Sequence, residues 1–403
     1  MSLVTKLKNN IIGALALTAC DVDYSVRPLP SYPEPPQYGQ VVLPTSETPR
    51  PGSFSGLAFA ISNLYAGKNF PGALGYDPTF DYAADGLYLK NLATGQVRSL
   101  LKSKQNGYVG QIIDQSIRPD GKQIAIAYDP KRFDLTTQDY LDNTPETLFI
   151  LNEDGTKEPI PIDPKYTSFA FHANDNGKDY PTECCALQWS PDGKMLAITV
   201  DERDQQFGYH SSVLLYDPQQ KEFVKELPIN LFETGAGTVV WNPNGREFVV
   251  ELSPTTNHPT GNWMDSDLYR LNVETGTLEG IATTQGVSEE SPAFSSDGTF
   301  AYLSRAVDPQ KHLSQITYDP NPQIVLQSHG VTQTLSAADT HLYFVYPQFH
   351  FSPDGSELGF IATPGLDDFT WVEGVYTINT DGTDLQKRSD STIEGRVWGF
   401  DWK

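Results

Sequence analysis

Cysteine is scarce in this chain, which has 403 residues and only three cysteines. Cys184 and Cys185 are adjacent, and Cys20 lies near the amino terminus. The disulfide framework that holds many small secreted domains together is therefore excluded, and the fold must rest on a hydrophobic core. Adjacent cysteines in a predicted strand are usually buried small apolar side chains. A vicinal disulfide between Cys184 and Cys185 in an oxidising compartment is the alternative.

Positive charge is also scarce, because 28 lysines and arginines face 51 aspartates and glutamates, for a formal net charge of −23. Such a surface repels the phosphates of nucleic acids, so no nucleic-acid partner is expected. Cations, divalent metals and basic protein surfaces are easier partners. The alternative is that the acidity serves only solubility.

Long apolar runs are absent except for a short one near the amino terminus. IIGALALTA at 11–19 follows Lys6 and Lys8, and it is too short to span a bilayer. This is the pattern of a signal peptide, and LTAC at 17–20 resembles the lipobox of bacterial lipoproteins. We therefore predict that 1–19 is removed and that Cys20 is lipidated. The alternative is an ordinary exported protein in which Cys20 has no such role.

A proline-rich stretch follows the predicted lipidation site. Residues 20–52 include the run RPLPSYPEPPQYGQVVLPTSETPRPG, and proline both fixes φ and removes a backbone donor. Extended chain is favoured over packed structure in such a segment. The sequence thus predicts a tether from Cys20, holding a domain at the bacterial cell envelope. Whether the membrane is the inner or the outer one stays open, with the domain in the periplasm or outside the cell.

No helical periodicity appears in 57–403, and a repeated turn takes its place. A Pro-Asp-Gly phrase or a close variant stands between two apolar runs at five places: SIRPDGKQIAIAY 116–128, LQWSPDGKMLAITV 187–200, VVWNPNGREFVVEL 239–252, PAFSSDGTFAYLS 292–304 and FHFSPDGSELGFIA 349–362. Asp-Gly and Asn-Gly supply the positive φ that tight hairpins need. Each phrase is followed by further strand-like runs, such as LFILNEDG 148–155 and ITYDPNPQ 316–323, which are predicted third strands. Four strands per repeat predict an all-β propeller.

The number of blades depends on the ends of the repeat region. GLAFAIS 56–62, GLYLKNLATG 86–95 and QVRSLL 96–101 read as second, third and fourth strands without a first. The run GRVWGFDWK 395–403 resembles the first strand of each repeat and has no partner of its own. We therefore predict six four-stranded antiparallel blades over 53–403, the first blade being closed by the C-terminal strand. The turn residues Asp120, Asp192, Asn244, Asp297 and Asp354 are predicted to serve the turns rather than chemistry.

The phrases WSPDGK, RPDGK and SPDG resemble the TolB-like (PD40, WD40-like) propeller family over nearly all of 57–403. Asn244 in place of aspartate and Ser296 in place of proline depart from the pattern. The resemblance implies a propeller scaffold and an envelope setting. The lipobox and tether point to a lipoprotein with that scaffold, and we expect a monomer.

Long connections between the second and third strands, such as 129–146 and 201–210, and between blades, such as 329–342, all fall on one face of the predicted propeller. These connections carry exposed aromatic residues, which on a rigid scaffold suggest a recognition surface. The ligand-binding face is predicted to include Tyr82, Tyr140, Tyr209, Trp263 and Trp371. The alternative is that the loops pack on themselves and bury these rings.

A calcium-loop spacing on the same face suggests a metal site. HANDNGKDYPTE at 172–183 matches a calcium-loop spacing at Asn174, Asn176, Gly177 and Glu183, although His172 stands where an aspartate is expected. A bound Ca²⁺ or other divalent cation is the hypothesis, and an ordinary polar turn without any cofactor is the default. Acidic residues near the starts of the inner strands suggest an acidic channel mouth: Asp114, Glu183, Glu289, Glu290 and Glu394.

Catalytic motifs are absent, so no catalytic residue is assigned. GSFSG at 52–56 has Phe54 where the nucleophile of a G-x-S-x-G elbow would stand. His350 lies on a predicted inner strand and is the one histidine with a role to consider, as a channel ligand or as a structural residue. The leading hypothesis is a non-enzymatic, membrane-anchored protein that binds an envelope protein or cell-surface ligand. The alternative is a metal-dependent propeller enzyme, a polysaccharide lyase or hydrolase, with its site at the channel mouth.

Overall fold

The structure is a computed structural model that describes part of the chain. The described residues are 45–46, 54–62, 85–105, 108–134, 139–140, 147–162, 172–173, 179–180, 186–204, 208–229, 234–254, 266–306, 322–336, 342, 344, 348–363, 374–389 and 396–403. Every regular element within these ranges is a β-strand. Within these ranges, no helix is long and apolar enough to cross a bilayer.

Six antiparallel sheets form the blades of the propeller, and each has four main strands. From the innermost strand outward they are: blade 1, Arg396–Trp402, Leu57–Ser62, Gly86–Lys90 and Val97–Lys102; blade 2, Tyr108–Ile117, Gln123–Asp134, Thr147–Asn152 and Lys157–Pro159; blade 3, Leu187–Trp189, Leu196–Asp204, Gly208–Asp217 and Glu222–Ile229; blade 4, Thr234–Trp241, Glu247–Pro254, Asp267–Asn272 and Leu278–Ala282; blade 5, Val287–Phe294, Phe300–Ala306, Gln323–Ser328 and Val331–Ser336; blade 6, Phe349–Phe351, Glu357–Ala362, Gly374–Asn379 and Gln386–Lys387.

Short strands complete the sheets. Thr45–Ser46, near the end of the predicted tether, pair with the outer strand of blade 1. Lys104–Gln105 and Asp139–Tyr140 pair with the two inner strands of blade 2. His172–Ala173 and Asp179–Tyr180 form a two-stranded sheet of their own. The all-β prediction is thus confirmed for the described residues.

The ring is closed by the C-terminal strand, as predicted. Leu57 pairs with Trp402 and Phe59 with Phe400, in antiparallel register. Beyond this pairing, the Lys403 amide donates to the Gly56 carbonyl at 2.9 Å. Innermost strands of successive blades contact one another around the whole ring, including blade 6 with blade 1. The prediction of six blades is therefore confirmed.

The core is divided into six apolar clusters, one between each pair of neighbouring blades. Successive residues of a strand point to opposite faces of its sheet, so each strand contributes to two clusters. In blade 2, Ile124 and Ile126 face blade 1, while Ala125 and Ala127 face blade 3. Because both faces of a blade are buried, its second strand reads as a continuous apolar run rather than an alternating one.

The repeated turns are held by their own aspartates, as predicted. Asp120 accepts a hydrogen bond from the Lys122 amide at 3.0 Å, and Asp354 accepts one from the Ser356 amide at 3.0 Å. Asn244 makes the same bond to the Arg246 amide at 2.8 Å. A glycine with positive φ follows each of them: Gly121, Gly193, Gly245, Gly298 and Gly355.

Blade 5 departs from the predicted strand assignment. Its third strand is Gln323–Ser328 rather than 316–323, and Val331–Ser336 is a fourth strand where a loop over 329–342 was predicted. The two strands are joined by His329 and Gly330, whose φ values of 49° and 80° are both positive. A two-residue hairpin turn of this kind usually carries Asn-Gly or Asp-Gly, so its His-Gly sequence concealed it.

Two predicted loops are also shorter than expected. In blade 3, 201–210 was predicted as a loop, but Leu196–Asp204 and Gly208–Asp217 pair as far as Asp204 with Gly208. In blade 2, Gln123–Asp134 runs into the predicted loop 129–146. Polar residues in these extensions disguised them, since strand pairing beyond the core needs no apolar pattern.

Candidate functional site

The two faces of the propeller differ in their connections. Antiparallel order places the turns between first and second strands, and between third and fourth strands, on one face, here called the short-turn face. All other connections lie on the opposite face, here called the long-connection face. Its connections include 63–85, 160–186, 255–266 and 307–322, against short-turn connections such as 190–195 and 329–330. The connections 205–207, 230–233 and 283–286 are short exceptions on this face.

The predicted ligand-binding and metal residues fall largely outside the described part of the chain. Tyr82, Trp263 and Trp371 lie outside it. Tyr140 and Tyr209 lie in the strands Asp139–Tyr140 and Gly208–Asp217, of which only the backbone is described. Their grouping into one binding face therefore stays a prediction.

The predicted calcium loop and the cysteines have the same standing. Asn174, Asn176 and Glu183 lie outside the described residues, as do Glu394, Cys20, Cys184 and Cys185. The backbone of the predicted loop begins in a short hairpin, where Ala173 pairs with Asp179.

A group of polar side chains lies on the innermost strands of blades 6, 1 and 2, here called the axial cluster. Its members are His350, Asp401 and Asp114. The His350 ring is next to the carboxylate of Asp401, with 3.4 Å between Nδ1 and Oδ1. The ring also meets Phe400 edge-on, with 4.8 Å between the ring centroids.

Asp401 joins blade 1 to blade 2, because its Oδ2 accepts a hydrogen bond from the Ile117 amide. Burial acts to raise the pKa of this carboxyl. Hydrogen bonding to His350, the charges of His350 and Lys403, and the Ile117 amide outweigh burial, so the pKa of Asp401 lies below its usual value. Asp401 is thus held ionised at the centre of the ring.

Asp114 joins blade 2 to blade 3, since its Oδ2 accepts a hydrogen bond from the Leu187 amide at 2.7 Å. Burial raises the pKa of Asp114 from 3.8 to about 7. The amides of Leu187 and Gln115 and the nearby His350 act in the opposite direction, whereas Asp401 adds to the increase. The axial cluster therefore contains one ionised carboxylate and one carboxyl that exchanges its proton near neutral pH.

Further links of the same kind connect other blades. The Trp189 amide donates to Ser116 Oγ at 3.3 Å, and its indole Nε1 donates to the Ser116 carbonyl at 3.1 Å. In the next blade, the indole of Trp241 donates to the Gln188 carbonyl at 3.2 Å. The tryptophans of the repeated phrase thus anchor one blade to the preceding one.

Two glutamines on the inner strand of blade 2 are buried without partners. Neither polar atom of the Gln111 or Gln115 side-chain amides has a hydrogen-bond partner within the described part of the chain. A Cβ placed on Gly399 would stand 3.2 Å from Gln115 Nε2 and 3.3 Å from Gln348 Oε1. An unsatisfied buried amide costs about 1–3 kcal/mol, so polar groups of solvent or of a ligand are favoured here.

A second set of buried charges lies between blades 4 and 5. Arg305 donates two hydrogen bonds to the carboxylate of Glu290. Glu251 Oε2 accepts a bond from the Ser291 amide at 2.9 Å. Burial, followed by the charge of Glu290, raises the pKa of Glu251. Ser291 has a φ of 56° at a register shift in the inner strand, where the chain turns its amide toward Glu251.

The predicted acidic channel mouth is thus divided between two places. Asp114 lies in the axial cluster, whereas Glu290 is neutralised by Arg305, and Glu289 accepts bonds from the Thr284 amide at 3.3 Å. Among the described residues, no group of three or more histidine, cysteine or acidic side chains is placed to hold a metal ion. Within the axial cluster, the Asp114 carboxyl can bind or release a proton, and the Asp401 carboxylate can accept hydrogen bonds from a ligand.

Sequence reasoning missed Asp401, Glu251 and Arg305. A signal was available for Glu251, because FVVEL places one carboxyl inside a continuous apolar run, where burial is expected. Asp401 stands between the aromatic residues of GFDW in the same way. No comparable signal exists for Arg305, because it follows the apolar run FAYLS rather than standing inside it.

Comparisons with known proteins agree with the propeller fold. No sequence profile of a protein family and no curated protein matches the chain. Among solved structures, TolB from Acinetobacter baumannii matches with a TM-score of 0.56 and 17% identity, over 88% of this chain and 68% of that one. A TolB-like propeller is therefore the fold of this chain.

Two further solved structures match less well. A putative TolB from Agrobacterium tumefaciens has a TM-score of 0.46 and 16% identity, over 75% of this chain and 87% of that one. A putative 6-phosphogluconolactonase from Bacteroides uniformis has a TM-score of 0.44 and 14% identity, over 86% of this chain and 98% of that one. A fold does not by itself determine function, so function must be argued from the sites.

Proposed function

We propose that this protein is a non-enzymatic lipoprotein of the bacterial cell envelope, whose propeller binds a protein or envelope ligand through its long-connection face. The observation that carries the proposal is the difference between the two faces. The short turns use their polar side chains on their own backbones, as Asp354 does with the Ser356 amide. Length and aromatic content are concentrated in the connections of the opposite face, where binding residues on rigid scaffolds commonly lie.

The lipid anchor is supported by the sequence LTAC at 17–20 and by the proline-rich stretch that follows it. Cys20 would carry the lipid, and the part of the proline-rich stretch that precedes Thr45–Ser46 would hold the propeller away from the membrane. Expression of the full chain in bacteria with labelled palmitate tests this. We expect label and membrane association in the wild type and loss of both in Cys20→Ala. Equal membrane association of the two proteins would contradict the anchor.

The binding face is tested by photo-crosslinking in the native envelope. We expect the double substitution Trp263→Ala and Trp371→Ala to abolish the crosslinked partner while leaving the melting temperature unchanged. The matched control is Leu385→Ala on the short-turn face, where the side chain is 38% exposed. Unchanged crosslinking in the double variant, or equal loss in the control, would contradict the assignment of the face.

A metal-dependent enzyme is the second candidate, and the axial cluster is the observation that favours it. His350 Nδ1 and Asp401 Oδ1 lie 3.4 Å apart on neighbouring innermost strands, and the charges of both residues act on the pKa of Asp114. Metal analysis of the purified protein tests this candidate. Bound metal in the wild type that is lost in His350→Ala would support it, and metal-free protein after growth with added zinc, calcium or manganese would contradict it.

A further inference from the structure

The outer edges of the blades are protected in different ways, and blade 5 lacks this protection. An outer strand presents unpaired backbone groups, which proteins cover, shorten or interrupt with charge and proline. The protected edges are these: blade 1 is covered by Thr45–Ser46; blade 2 ends in Lys157–Pro159; blade 3 has Glu222, Lys225, Glu226 and Pro228; blade 4 has Glu279 and Gly280; and blade 6 has only Gln386–Lys387.

The outer strand of blade 5, Val331–Ser336, has none of these features. Its sequence is VTQTLS, with no charge, no proline and no glycine. Residues 331–334 are exposed, and the Val331 side chain is 67% exposed, which is unusual for a large apolar residue in this chain. Within the described residues, no other strand pairs with its outer edge.

The hairpin turn determines which backbone groups point outward. Ser328 pairs with Val331 across His329 and Gly330, which both have positive φ. The residues flanking such a turn form a hydrogen-bonded pair, and alternate residues along the strand then do the same. Val331 therefore directs its N–H and C=O toward the neighbouring strand, while Thr332 and Thr334 direct theirs outward.

The surroundings of this edge indicate the kind of segment that fits. A groove of about 480 Å³ between blades 4 and 5 reaches the edge at Val331 and Thr332. Its lining includes Glu247 and Arg270, and Arg270 stands 3.9 Å from both Glu247 and Glu279. Two carboxylates thus face one guanidinium, on a protein with a net charge of −23. Local and overall charge both favour a basic segment.

We propose that the outer edge of blade 5 binds an extended segment of a partner protein as a fifth strand, and that basic residues flank this segment. Thr45–Ser46 on blade 1 are an example of the same addition within this chain. Main-chain hydrogen bonds to Thr332 and Thr334 would supply the affinity, and the groove would receive side chains of the partner. A second copy of this chain is disfavoured as the occupant, because both copies would carry the same negative charge.

The test uses Thr334→Pro in the full chain. Proline removes the outward N–H of residue 334 but no hydrogen bond within the hairpin, and edge strands tolerate proline at such positions. The matched control is Thr334→Val, which keeps the N–H and the β-branched shape. The probe is a fluorescein-labelled peptide of alternating threonine and valine with two lysines at each end, and its binding is read by fluorescence anisotropy.

We expect the wild type and Thr334→Val to bind the probe equally, and Thr334→Pro to bind at least tenfold more weakly at an unchanged melting temperature. A probe flanked by glutamates should bind the wild type more weakly than the lysine probe at low salt. Hydrogen exchange at 331–336 should slow when the probe binds. Equal binding by Thr334→Pro would overturn the proposal. So would a dimer of the wild type in analytical ultracentrifugation that Thr334→Pro abolishes, since the edge would then pair with itself.

Discussion

Two sets of charged side chains in this propeller can be compared. Each contains two carboxyl groups and one basic side chain, which is a histidine in one set and an arginine in the other. In the axial cluster, Asp401 is next to His350, and Asp114 has a raised pKa. Between blades 4 and 5, Glu290 is paired with Arg305, and Glu251 has a raised pKa. Each set therefore combines one paired carboxylate with one carboxyl that burial makes hard to ionise.

The difference lies in whether the cation can lose its charge. Arginine stays protonated at any pH that the protein survives, whereas histidine changes charge within the physiological range. Arg305 and Glu290 lie on neighbouring strands of blade 5. Among the described residues, the apolar cluster between blades 4 and 5 contains Phe300 of blade 5, with Phe294 and Tyr302 partly buried against it. We infer that both sets respond to pH, the first through Asp114 and the second through Glu251, and that the permanent Arg305–Glu290 ion pair is a structural link between two strands of blade 5.

The largest effect is expected from breaking the structural link. Arg305→Met should lower the free energy of unfolding by about 3–5 kcal/mol, because it leaves Glu290 buried without a cation beside Glu251. Urea denaturation of the purified protein measures this. The double variant with Glu290→Gln should recover most of the loss. Equal stability of Arg305→Met and the wild type would show that the link is dispensable.

The next effect concerns the pH dependence contributed by Asp114. Its folded pKa of about 7 is above the unfolded value of 3.8, so between these values the folded chain holds a proton that the unfolded chain releases. Stability should therefore fall as pH rises through this window, by roughly 2–4 kcal/mol in total. Asp114→Asn, which keeps an acceptor for the Leu187 amide, should flatten the profile between pH 4 and pH 7. An unchanged profile in denaturation series would contradict this role.

A smaller effect of the opposite sign is expected at Asp401. Its folded pKa lies below 3.8, so its stabilising contribution is present above that pH and is lost as pH falls through the folded value. Asp401→Asn should lower stability by about 2 kcal/mol near neutral pH, since a charged acceptor is lost. Asn at this position should then show no further loss on acidification. The stability of His350→Gln provides the comparison. It separates the free energy that Asp401 gains from His350 from the free energy that it gains from the Ile117 amide.

The smallest effect is expected at an exposed turn, which gives a baseline for both sets. Asp297 accepts a hydrogen bond from the Thr299 amide at 3.0 Å, and the Ser295 hydroxyl and this amide lower its pKa to about 2. Asp297→Ala should lower the melting temperature slightly, by the equivalent of about 1 kcal/mol or less. Asp297→Asn should be nearly neutral, because Asn244 fills the same position in blade 4. A loss in Asp297→Ala as large as that in Arg305→Met would contradict the ranking.

The fold was largely predictable because short, local sequence motifs mark its hairpins. Asp-Gly and Asn-Gly turns between apolar runs mark the first hairpin of blades 2 to 6. The run GRVWGFDWK then supplies the first strand of blade 1, the one blade that lacks such a strand in the sequence. Blade 5 was misassigned where these motifs fail. ITYDPNPQ resembles a third strand with its turn, but the actual hairpin has His329 in a left-handed conformation. Positive φ at a histidine cannot be read from sequence, since tertiary pairing imposes it.

The sites were less predictable, because burial of a charge depends on several distant segments. Asp114 was a candidate from its place on an inner strand, yet its raised pKa depends on burial by neighbouring blades. Arg305 and Glu290 are 15 positions apart and meet only because their strands pair. The sequence pattern alone cannot show which of several acidic residues forms an ion pair with Arg305.

The closure of blade 1 also sets an order in time. Leu57–Ser62 leaves the ribosome long before its inner neighbour Arg396–Trp402 is synthesised. Until then, one side of the second strand of blade 1 is an open edge made of apolar residues. Pairing between segments so distant in sequence is slow, because a long loop must be closed before any contact forms. The nascent chain therefore passes through a state in which five blades can form while the ring remains open, and this is the state that a chaperone would have to protect.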